Sequence, residues 1–501
     1  MSTPDTPLHD VAIIGYGPTG AALAHLLSAC GLSVLVLERE AAAWHLPRAV
    51  HFDDETMRIL QWCGAAEEME PLTHRSPGMK FVDGAGALLL DWPRPEGRGP
   101  LGWRASHRFH QPDLERVLRA AMSGRKTVTL RPRCDVFMLE DRGDHVELRW
   151  EDTSRGKIER ARARYVVGCD GARSLVRRFI ETGMEDLGFH ERWLVVDVIL
   201  NEDLPRLGDH SIQHCTPPRP STYVRCPGKR RRWEITLLPG EDPAEMTRPE
   251  NVWPLIADWI TPGDARIERA AVYTFHSLVA RDWRRGRLLL AGDSCHQTPP
   301  FMGQGLCAGM RDAADLYWKL ATICRGDAPD ALLGTYTADR RPNAVAYVQK
   351  AVDLGKLINA SDPGAALRGA FLGPDGAPKM ESIAPPLGPG LASGPLSGRL
   401  FGQPRLADGR LMDDAFAHRW VLVADAALAA EARIPPGLAL LTAAEAPDLP
   451  DHLSRLGARA ALLRPDRRVL DTAEDASGLA ALAARALPDP IGAPAPLSKA
   501  I

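Results

Sequence analysis

A strand, a glycine-rich turn, a helix and a second strand follow one another within residues 10–38, and no other feature of the 501-residue chain constrains its fold as strongly. Residues 10–14 are a short run rich in β-branched side chains, residues 19–30 are an apolar helix that Gly31 ends, and residues 33–37 are a second apolar run. A strand–helix–strand unit of about 30 residues places two parallel strands side by side in a buried sheet. We therefore predict an α/β fold with a Rossmann-like sheet.

The turn of this unit, Gly15-Tyr16-Gly17-Pro18-Thr19-Gly20, matches the pattern G-x-G-x-x-G. In that pattern Gly15 allows the tight turn, Gly17 lets a pyrophosphate approach the backbone, and Gly20 lets the helix pack against the strand. Glu38 ends the second strand, where a carboxylate accepts hydrogen bonds from an adenosine ribose. A purely structural glycine turn would not require the acidic residue, so the unit predicts a dinucleotide site.

Two further motifs follow later in the chain. In the first, the apolar run at residues 165–167 leads into Asp170-Gly171, which alone is typical of an ordinary strand-to-helix turn. In the second, a buried strand at residues 287–291 delivers Asp293 to its carboxyl end, the edge where α/β folds bind ligands. A helix over residues 305–324 then directs its amino terminus, with the positive end of its dipole, toward that edge.

The three motifs, in this order, resemble those of the class A flavoprotein aromatic hydroxylases over about the first 350 residues. The resemblance implies FAD as the cofactor, with Glu38 at its adenosine ribose and Asp293 at its ribityl chain. It also implies that Asp170 shapes a site shared by FAD and the incoming NADH or NADPH. The further residues that it places at FAD belong to the glycine turn and to segments near the pyrophosphate and the flavin: Gly15, Gly17, Gly20, Arg39, Arg48, Gln111, Pro300, Gly303, Gly305 and Leu306.

Within that family, residues 299–314 and 231–240 are most similar to the 3-hydroxyphenylpropionate hydroxylases. This closer resemblance implies that NAD(P)H reduces FAD, that O2 forms a flavin C4a-hydroperoxide, and that a phenolic substrate is hydroxylated. Two alternatives stay open. The same chemistry could act on a larger polyketide-like or heteroaromatic substrate, or the chain could be a flavin-binding module without turnover.

The resemblance points to fewer residues for substrate binding and catalysis. We expect Phe301 and Met302 to form the wall of the aromatic pocket. Arg225 is a candidate to pair with a substrate carboxylate, although a surface position is the more common one for an arginine in a chain with many arginines. His296 and His51 are candidates for a base that deprotonates the phenol. Either histidine is also compatible with a structural role.

The chain divides into three predicted regions. Residues 1–360 form the FAD-binding domain, with a mainly antiparallel substrate-binding sheet inserted at about 189–280. Residues 361–405 are a linker rich in Gly and Pro. Residues 406–501 are a small α/β domain that resembles the thioredoxin-like carboxyl-terminal domain of phenol-hydroxylase relatives. The last cysteine is Cys324, so this domain has no dithiol chemistry and is expected to serve packing or formation of a homodimer.

Composition excludes several classes of function. Lys and Arg total 61 and Asp and Glu total 64, a net charge of −3, so no overall field attracts nucleic acid or an anionic membrane. The basic run Lys229–Arg232 is expected to be a solvated hairpin face. The nine cysteines include no C-x-x-C pair, which indicates a reducing cytoplasmic compartment, and no metal site is predicted. Glycines interrupt the apolar stretch Val11–Leu37, so we expect no membrane span.

Overall fold

The computed structural model describes residues 7–43, 46–373, 376, 378–391 and 394–491 of the chain. The outer ends of the predicted terminal domains, residues 1–6 and 492–501, lie outside the described residues. The helices of the described part are Pro18–Ala29, Asp54–Cys63, Ala66–Met69, Gln111–Met122, Leu175–Ile180, Pro243–Met246, Pro249–Ile256, Gly305–Arg325, Gly334–Ile358, Pro363–Phe371, Met412–Phe416, Ala426–Glu431, Leu449–Leu456 and Ala476–Ala483. Among them, none combines the length and the apolar character that crossing a lipid bilayer requires.

The predicted strand–helix–strand unit forms the centre of a first, mainly parallel sheet. Leu8–Ile14 pairs in parallel with Val34–Glu38 on one side and with Lys157–Gly168 on the other, and the helix Pro18–Ala29 connects the first two. The strands of this sheet, in spatial order, are Arg284–Arg285, Leu288–Leu290, Lys157–Gly168, Leu8–Ile14, Val34–Glu38 and Val128–Pro132, with Val146–Asp152 and Cys134–Asp141 added beside Lys157–Gly168.

Residues 127–167 alternate between polar and apolar side chains, which predicts antiparallel strands, and three of their four strands do pair in this way. Cys134–Asp141, Val146–Asp152 and Lys157–Gly168 form antiparallel pairs, whereas Val128–Pro132 pairs in parallel with Val34–Glu38. Val128–Pro132 is parallel because the helix Gln111–Met122 precedes it. This helix is a crossover connection, which returns the chain to the end of the sheet where the next strand starts in the same direction.

The second sheet has eight strands and contains more of the chain than the predicted insertion. Its strands, in order, are His296–Gln297, Ala265–Ala280, Met184–Leu200, Arg230–Thr236, Ser221–Arg225, Ser211–His214, Gly78–Val82 and Leu88–Pro93. The last two precede residue 189 by about a hundred positions in the chain and join through a parallel pairing with Ser211–His214. A small third sheet contains three antiparallel strands, in the spatial order His51–Asp53, Ser106–Arg108 and His74–Arg75.

The basic run in the second sheet is not a solvated face. Arg231 and Arg232 are each only 2% exposed, because they lie in Arg230–Thr236, a strand with neighbours on both sides. Arg232 forms an ion pair with Asp197 across the sheet, with a distance of 2.7 Å from Nε to Oδ1. The prediction was therefore wrong for these two residues.

The first helix packs closely against the long helix Gly305–Arg325, and one glycine permits this contact. A Cβ on Gly309 would lie 2.3 Å from Oγ1 of Thr19 and 3.1 Å from Cα of Gly292. Because no side chain fits there, the glycine turn, the Asp293 turn and the amino terminus of the long helix approach one another.

The carboxyl-terminal unit contains a four-stranded sheet in the order Ala439–Leu441, Val421–Ala424, Ala460–Leu463 and Val469–Ala473. The first pair is parallel and the other two pairs are antiparallel. The predicted linker begins instead with the helix Pro363–Phe371. Its later part is packed rather than free, since Phe401 is 2% exposed.

Buried ion pairs, which we call the interface network, join this unit to the rest of the chain. In the first group Asp413 binds both Arg58 and Arg467. In the second group Asp315 and Asp339 each bind both Arg464 and Lys319. A third group connects Arg468 through Glu55 to Arg311, which also binds Asp53. Every guanidinium named here has at least one carboxylate partner.

Candidate functional site

The glycine turn has the geometry that its three glycines predict. Gly15 has a φ of +98°, and a Cβ there would lie 2.5 Å from the carbonyl oxygen of Cys169. A Cβ on Gly20 would lie 2.1 Å from the carbonyl oxygen of Gly15, whereas a Cβ on Gly17 would meet nothing within 4 Å. The outer two glycines are therefore required by the protein's own packing, and Gly17 leaves open space in front of the backbone.

Glu38 fastens the end of its strand to this turn. Its Oε2 accepts a hydrogen bond from the backbone N–H of Tyr16 at 2.6 Å, and its Oε1 accepts one from Glu40 at 2.7 Å. The neighbouring Arg39 has a side chain that is 71% exposed and pairs with Glu40 at 3.4 Å. The structure thus brings Glu38 to the turn and leaves Arg39 in solvent.

Asp293 lies in the short turn Gly292–Ser294, directly after the strand Leu288–Leu290. Its carboxylate faces a cavity and accepts no hydrogen bond from the residues that the structure describes. The surrounding protein raises its pKa, because burial disfavours the charged form. A carboxylate in this position is available for the hydroxyl groups of a ligand.

The segment Pro300–Leu306 forms the next part of the cavity wall. Pro300, Gly303, Gly305 and Leu306 all line it, and Gly305 is the first residue of the 21-residue helix Gly305–Arg325. A Cβ on Gly305 would meet nothing within 4 Å. The free N–H groups of this helix terminus therefore face open space and suit a ligand that carries negative charge.

Gln111 holds the segment that carries Arg48. Its Oε1 accepts hydrogen bonds from the backbone N–H groups of Arg48 at 3.1 Å and of Ala49 at 2.9 Å, and its Nε2 donates to Glu115 at 2.9 Å. Both Arg48 and Gln111 line the cavity. Arg232 donates to the carbonyl oxygen of Arg48 at 2.8 Å and so fixes the same segment from the second sheet.

Asp170 is turned away from the cavity and organises the turn that follows its strand. Its Oδ2 accepts from the backbone N–H of Leu175 at 2.6 Å and of Val176 at 3.2 Å, and its Oδ1 accepts from the hydroxyl of Ser174 at 2.5 Å. Its neighbours Cys169, Gly171 and Ala172 line the cavity. Asp170 therefore shapes the wall through the backbone rather than by direct contact.

One continuous cavity of about 480 Å³ joins these segments to a chamber against the second sheet. Phe301 and Met302 form part of its wall. Phe301 is held by edge contacts with Phe189, at 5.4 Å between ring centroids, and with Trp193, at 5.6 Å. The cavity thus has one end lined by the glycine turn and another lined by aromatic and apolar side chains.

Several wall residues could not be named from the sequence. Ser76, Met79, Trp92, Arg94, Ser106 and Arg108 lie outside the predicted substrate region, and Ser211 lies within it. No motif marks them. The only available signal was the alternation of residues along 78–82 and 88–93, which indicates strands but not the sheet that they join.

His51 lies on the cavity wall with both ring nitrogens engaged. Its Nδ1 is 3.3 Å from the carbonyl oxygen of Gly303, which can only accept, so Nδ1 carries the proton. Its Nε2 therefore accepts from the hydroxyl of Ser106 at 2.8 Å. Burial and the cations Arg108 and Arg94 lower the pKa of His51 to about 3, so the ring is neutral at pH 7.

His296 lies behind the wall and not on it. Its ring is 1% exposed, packs on Trp283 at 5.4 Å, and its Nε2 donates to Asp312 at 2.7 Å. Cys295, His296 and Asp312 carry metal-ligand atoms within 4.8 Å of one another. However, the Asp312 carboxylate already accepts from Gly292 and Arg340, so the group is a hydrogen-bonded cluster. This position gives His296 no access to a substrate in the cavity.

Arg225 does not reach the cavity either. Its Nη1 donates to the carbonyl oxygen of Gly228 at 2.9 Å and also to that of Cys226. Its Nε lies 3.4 Å from Asp209, a residue that is largely exposed. The side chain closes its own turn at the end of Ser221–Arg225, which accounts for its orientation.

Known proteins share this arrangement. The family model described as FAD binding domain matches residues 9–351. A probable NADH-specific resorcinol 4-hydroxylase of Rhodococcus jostii is 43% identical over 354 residues, 70% of this chain and 66% of that protein. A 3-(3-hydroxy-phenyl)propionate/3-hydroxycinnamic acid hydroxylase of Burkholderia vietnamiensis is 37% identical over 364 residues, 72% of this chain and again 66% of that protein. The alignments thus span just under two thirds of these relatives.

Solved structures extend the likeness to nearly the whole chain. The flavin-dependent monooxygenase PieE, in complex with FAD and substrate, superimposes with a TM-score of 0.78 at 22% identity, over 96% of this chain and 98% of PieE. Aklavinone-11 hydroxylase, with FAD and aklavinone, gives 0.75 at 23% identity, over 96% and 99%. At such identities the likeness concerns the fold. The family match covers more than half of the chain, and we conclude that this protein belongs to the FAD-binding family.

Proposed function

We propose that this protein is an FAD-dependent monooxygenase that hydroxylates a phenolic substrate with NADH or NADPH and O2. The observation that carries the proposal is the single cavity that joins the glycine turn, Asp293 and the helix terminus at Gly305 to an aromatic chamber. Relatives at 43% and 37% identity are named as hydroxylases of resorcinol and of 3-(3-hydroxy-phenyl)propionate. NADH is the reductant named for the first of them.

The residues present fit FAD. The open space in front of Gly17 suits the pyrophosphate, Glu38 at the end of its strand suits the adenosine ribose, and the unpartnered carboxylate of Asp293 suits the ribityl hydroxyls. Arg48 is the cation that lines the cavity on the Asp293 side, where it acts electrostatically on that carboxylate. When bound, FAD supplies hydride acceptance from the nicotinamide and the activation of O2.

The protein would contribute electrostatics and exclusion of water. The helix terminus at Gly305 offers N–H groups and the positive end of a dipole to negative charge on the flavin ring. The cluster of Phe301, Phe189 and Trp193 makes the chamber wall apolar and rigid. This apolar wall would exclude water from the end of the cavity where the substrate reacts.

His51 would act as a positioning residue. It links the carbonyl oxygen of Gly303 to the hydroxyl of Ser106, so it holds the loop before the long helix against the third sheet. A Cβ on Gly303 would lie 2.9 Å from Nδ1 of His51, so the loop and the ring fit each other closely. Neither nitrogen is free to take a proton from a phenol in this arrangement.

The relatives support a small substrate. Resorcinol and 3-(3-hydroxy-phenyl)propionate, the substrates named for two of them, are single-ring phenols. The proposal therefore favours a single-ring phenol over the alternative of a larger polyketide-like substrate.

We also propose that the carboxyl-terminal unit is a thioredoxin-like packing module. It has a small mixed sheet flanked by helices, no cysteine from residue 325 onward, and the buried ion pairs of the interface network. The nine cysteines of the chain are all unpaired, which fits a cytoplasmic protein. Formation of a homodimer through this unit can be tested by light scattering of the purified protein.

The test of the main proposal is oxidation of NADH and NADPH by the purified yellow protein, with a panel of phenols and with peroxide measured beside the products. We expect a phenol to accelerate NADH oxidation severalfold and to yield a hydroxylated product in a near-stoichiometric amount. Bound flavin without acceleration by any phenol would support the module without turnover and would contradict the proposal.

A further inference from the structure

Two arginines in the chamber wall have no carboxylate partner. Arg108 ends the strand Ser106–Arg108, opposite His51 in the register of the third sheet. Among the described residues its guanidinium forms no hydrogen bond or ion pair, and its Nε is buried without a partner. Arg94 stacks over the ring of Trp92 at 4.0 Å and makes one hydrogen bond, at 3.3 Å, to the carbonyl oxygen of Pro93.

At the end of the cavity away from the glycine turn and Asp293, the other charged side chains form ion pairs. Arg232 and Arg269 share Asp197, at 2.7 Å and 2.5 Å, and Glu234 lies 3.6 Å from Arg232. Glu234 acts on Arg108 only from beyond ion-pair distance. The chamber therefore carries an excess of positive charge that its own carboxylates do not neutralise.

A buried hydroxyl without a hydrogen-bond partner lies on the same wall. Ser211 is 1% exposed, and its hydroxyl has no hydrogen-bond partner. In the second sheet Ser211 is paired with Met79, and Met79 is paired with Trp92, so the three residues form one row across adjacent strands. Arg94 stacks on the last member of this row. All four residues line the cavity.

Burial of unpaired cations and hydroxyls is costly, so these groups indicate a ligand that completes them. Burial lowers the pKa of both Arg94 and Arg108 to about 10, which leaves both charged at neutral pH. The pyrophosphate of FAD does not meet this need, because its site is the glycine turn of the first sheet. The ligand group must therefore come from a molecule in the chamber.

We propose that Arg94, Arg108 and Ser211 form a carboxylate-binding subsite, so that the preferred substrates are phenols that carry a carboxylate on a short side chain or on the ring. The inference rests on the proposed function and deepens it. It also separates the substrates named for the two relatives, since resorcinol has no carboxylate and 3-(3-hydroxy-phenyl)propionate has one. A planar guanidinium and a hydroxyl are suited to the two oxygens of such a group.

The first experiment uses the unmodified holoenzyme and needs no catalysis. Binding of 3-(3-hydroxyphenyl)propionate, 3-propylphenol and resorcinol is titrated by the change in flavin absorbance. We expect the carboxylate to bind about 10- to 100-fold more tightly than the neutral 3-propylphenol, since charge-assisted hydrogen bonds are lost in the latter. Equal binding of the two, or a preference for resorcinol, would overturn the subsite.

Variants then test which residues are responsible. In Arg108→Gln and Arg94→Gln we expect the advantage of the carboxylate to fall about tenfold or more, with binding of 3-propylphenol unchanged. The matched control is Arg75→Gln, on the neighbouring strand of the third sheet, where Arg75 pairs with the exposed Glu96 at 2.9 Å. If Arg108→Gln does not retain FAD, the subsite is still tested by Arg94→Gln and by the comparison of ligands in the unmodified protein.

The outcomes separate this inference from the proposed function. If phenols stimulate NADH oxidation and are hydroxylated, but carboxylated and neutral phenols perform alike, the subsite is refuted and the hydroxylase is retained. If carboxylated phenols bind tightly and no phenol is hydroxylated, the subsite stands and the proposed activity fails.

Discussion

Two regions of this molecule differ in how they neutralise the charge of their arginines. In the interface network Arg58 and Arg467 are fully buried and share the carboxylate of Asp413. In the chamber Arg94 and Arg108 are half-buried, and no carboxylate lies within ion-pair distance of either guanidinium. The network is electrostatically complete without a ligand, and the chamber is not.

This difference separates charge that maintains the fold from charge that awaits a ligand. A complete network loses stability when any one partner is removed, because the remaining charges are left buried and unpaired. An incomplete site gains or retains stability when its excess charge is removed, and loses binding instead. Four substitutions test this distinction, from the largest expected effect to the smallest.

Asp413→Ala should cause the largest loss of stability. It leaves Arg58 and Arg467 without their shared carboxylate, and Trp62 without the acceptor of its indole N–H, which lies 2.8 Å from Oδ2 of Asp413. We expect the free energy of unfolding to fall by about 3–5 kcal/mol, measured by urea denaturation.

The control for Asp413→Ala is Asp408→Ala, which removes the exposed ion pair with Arg410. That substitution should leave the free energy of unfolding nearly unchanged, because an ion pair that is fully exposed to solvent contributes little to stability. A loss of similar size in both variants would show that burial does not distinguish these carboxylates.

The second prediction concerns His25, a neutral buried group beneath the first sheet. Its Nε2 donates to the carbonyl oxygen of Leu118 at 2.8 Å, and burial lowers its pKa from 6.5 to about 4. The unfolded chain then binds the proton more readily, so stability is full above about pH 6.5 and is lost as the pH falls toward 4. His25→Gln should remove about 3 kcal/mol of that loss, measured by denaturation at pH 7 and pH 4.

His25 and the interface network affect the stability of the protein in different ranges of pH. The pKa of Asp413 is held below 3.8: burial alone would raise it, but Arg467 and Arg58 outweigh that effect. Its contribution is therefore lost only below about pH 4. An unchanged pH slope between 7 and 4 in His25→Gln would contradict this assignment.

The third prediction concerns Asp293, the unpartnered carboxylate of the cavity. Asp293→Ala should weaken FAD binding by about 10- to 100-fold and give a largely colourless protein, because charge-assisted hydrogen bonds to the cofactor are lost. Fluorescence titration of the apoprotein with FAD measures this. The thermal stability of the apoprotein should not decrease in this variant. Retention of stoichiometric FAD in the purified variant would refute the role of Asp293.

The smallest effect is expected for the stability of Arg108→Gln. Removal of an enclosed cation without a partner should leave the free energy of unfolding within about 1 kcal/mol of the parent, or raise it. Urea denaturation of the two apoproteins provides the value. A loss as large as that expected for Asp413→Ala would mean that Arg108 belongs to the structural charges and would blur the distinction between the two regions.

Much of the proposed cofactor end of the cavity could be located from the sequence. Gly15, Gly17, Gly20 and Glu38 lie in one local unit, and their positions follow from backbone geometry that is encoded within about 30 residues. Asp293 and the helix terminus at Gly305 could be placed for the same reason, since each directly follows or precedes an element that the local pattern predicts.

The substrate end could not be predicted, because it depends on pairings between distant strands. Arg94 and Ser211 line one cavity because Gly78–Val82 pairs with Ser211–His214, residues more than a hundred positions apart in the chain. Local patterns do not encode such register. His296 shows that closeness in the sequence does not ensure a shared site. It follows Asp293 closely in the chain, yet its ring points into the core and binds Asp312.

The most direct test of the account is the fate of the oxygen atoms when the holoenzyme turns over NADH and a phenol in a solution of 18O2. The account predicts a hydroxylated product that contains one atom of 18O, with little labelled peroxide, because the chamber protects the reacting flavin from water. Consumption of NADH that places the label only in peroxide, with the phenol recovered unchanged, would contradict it.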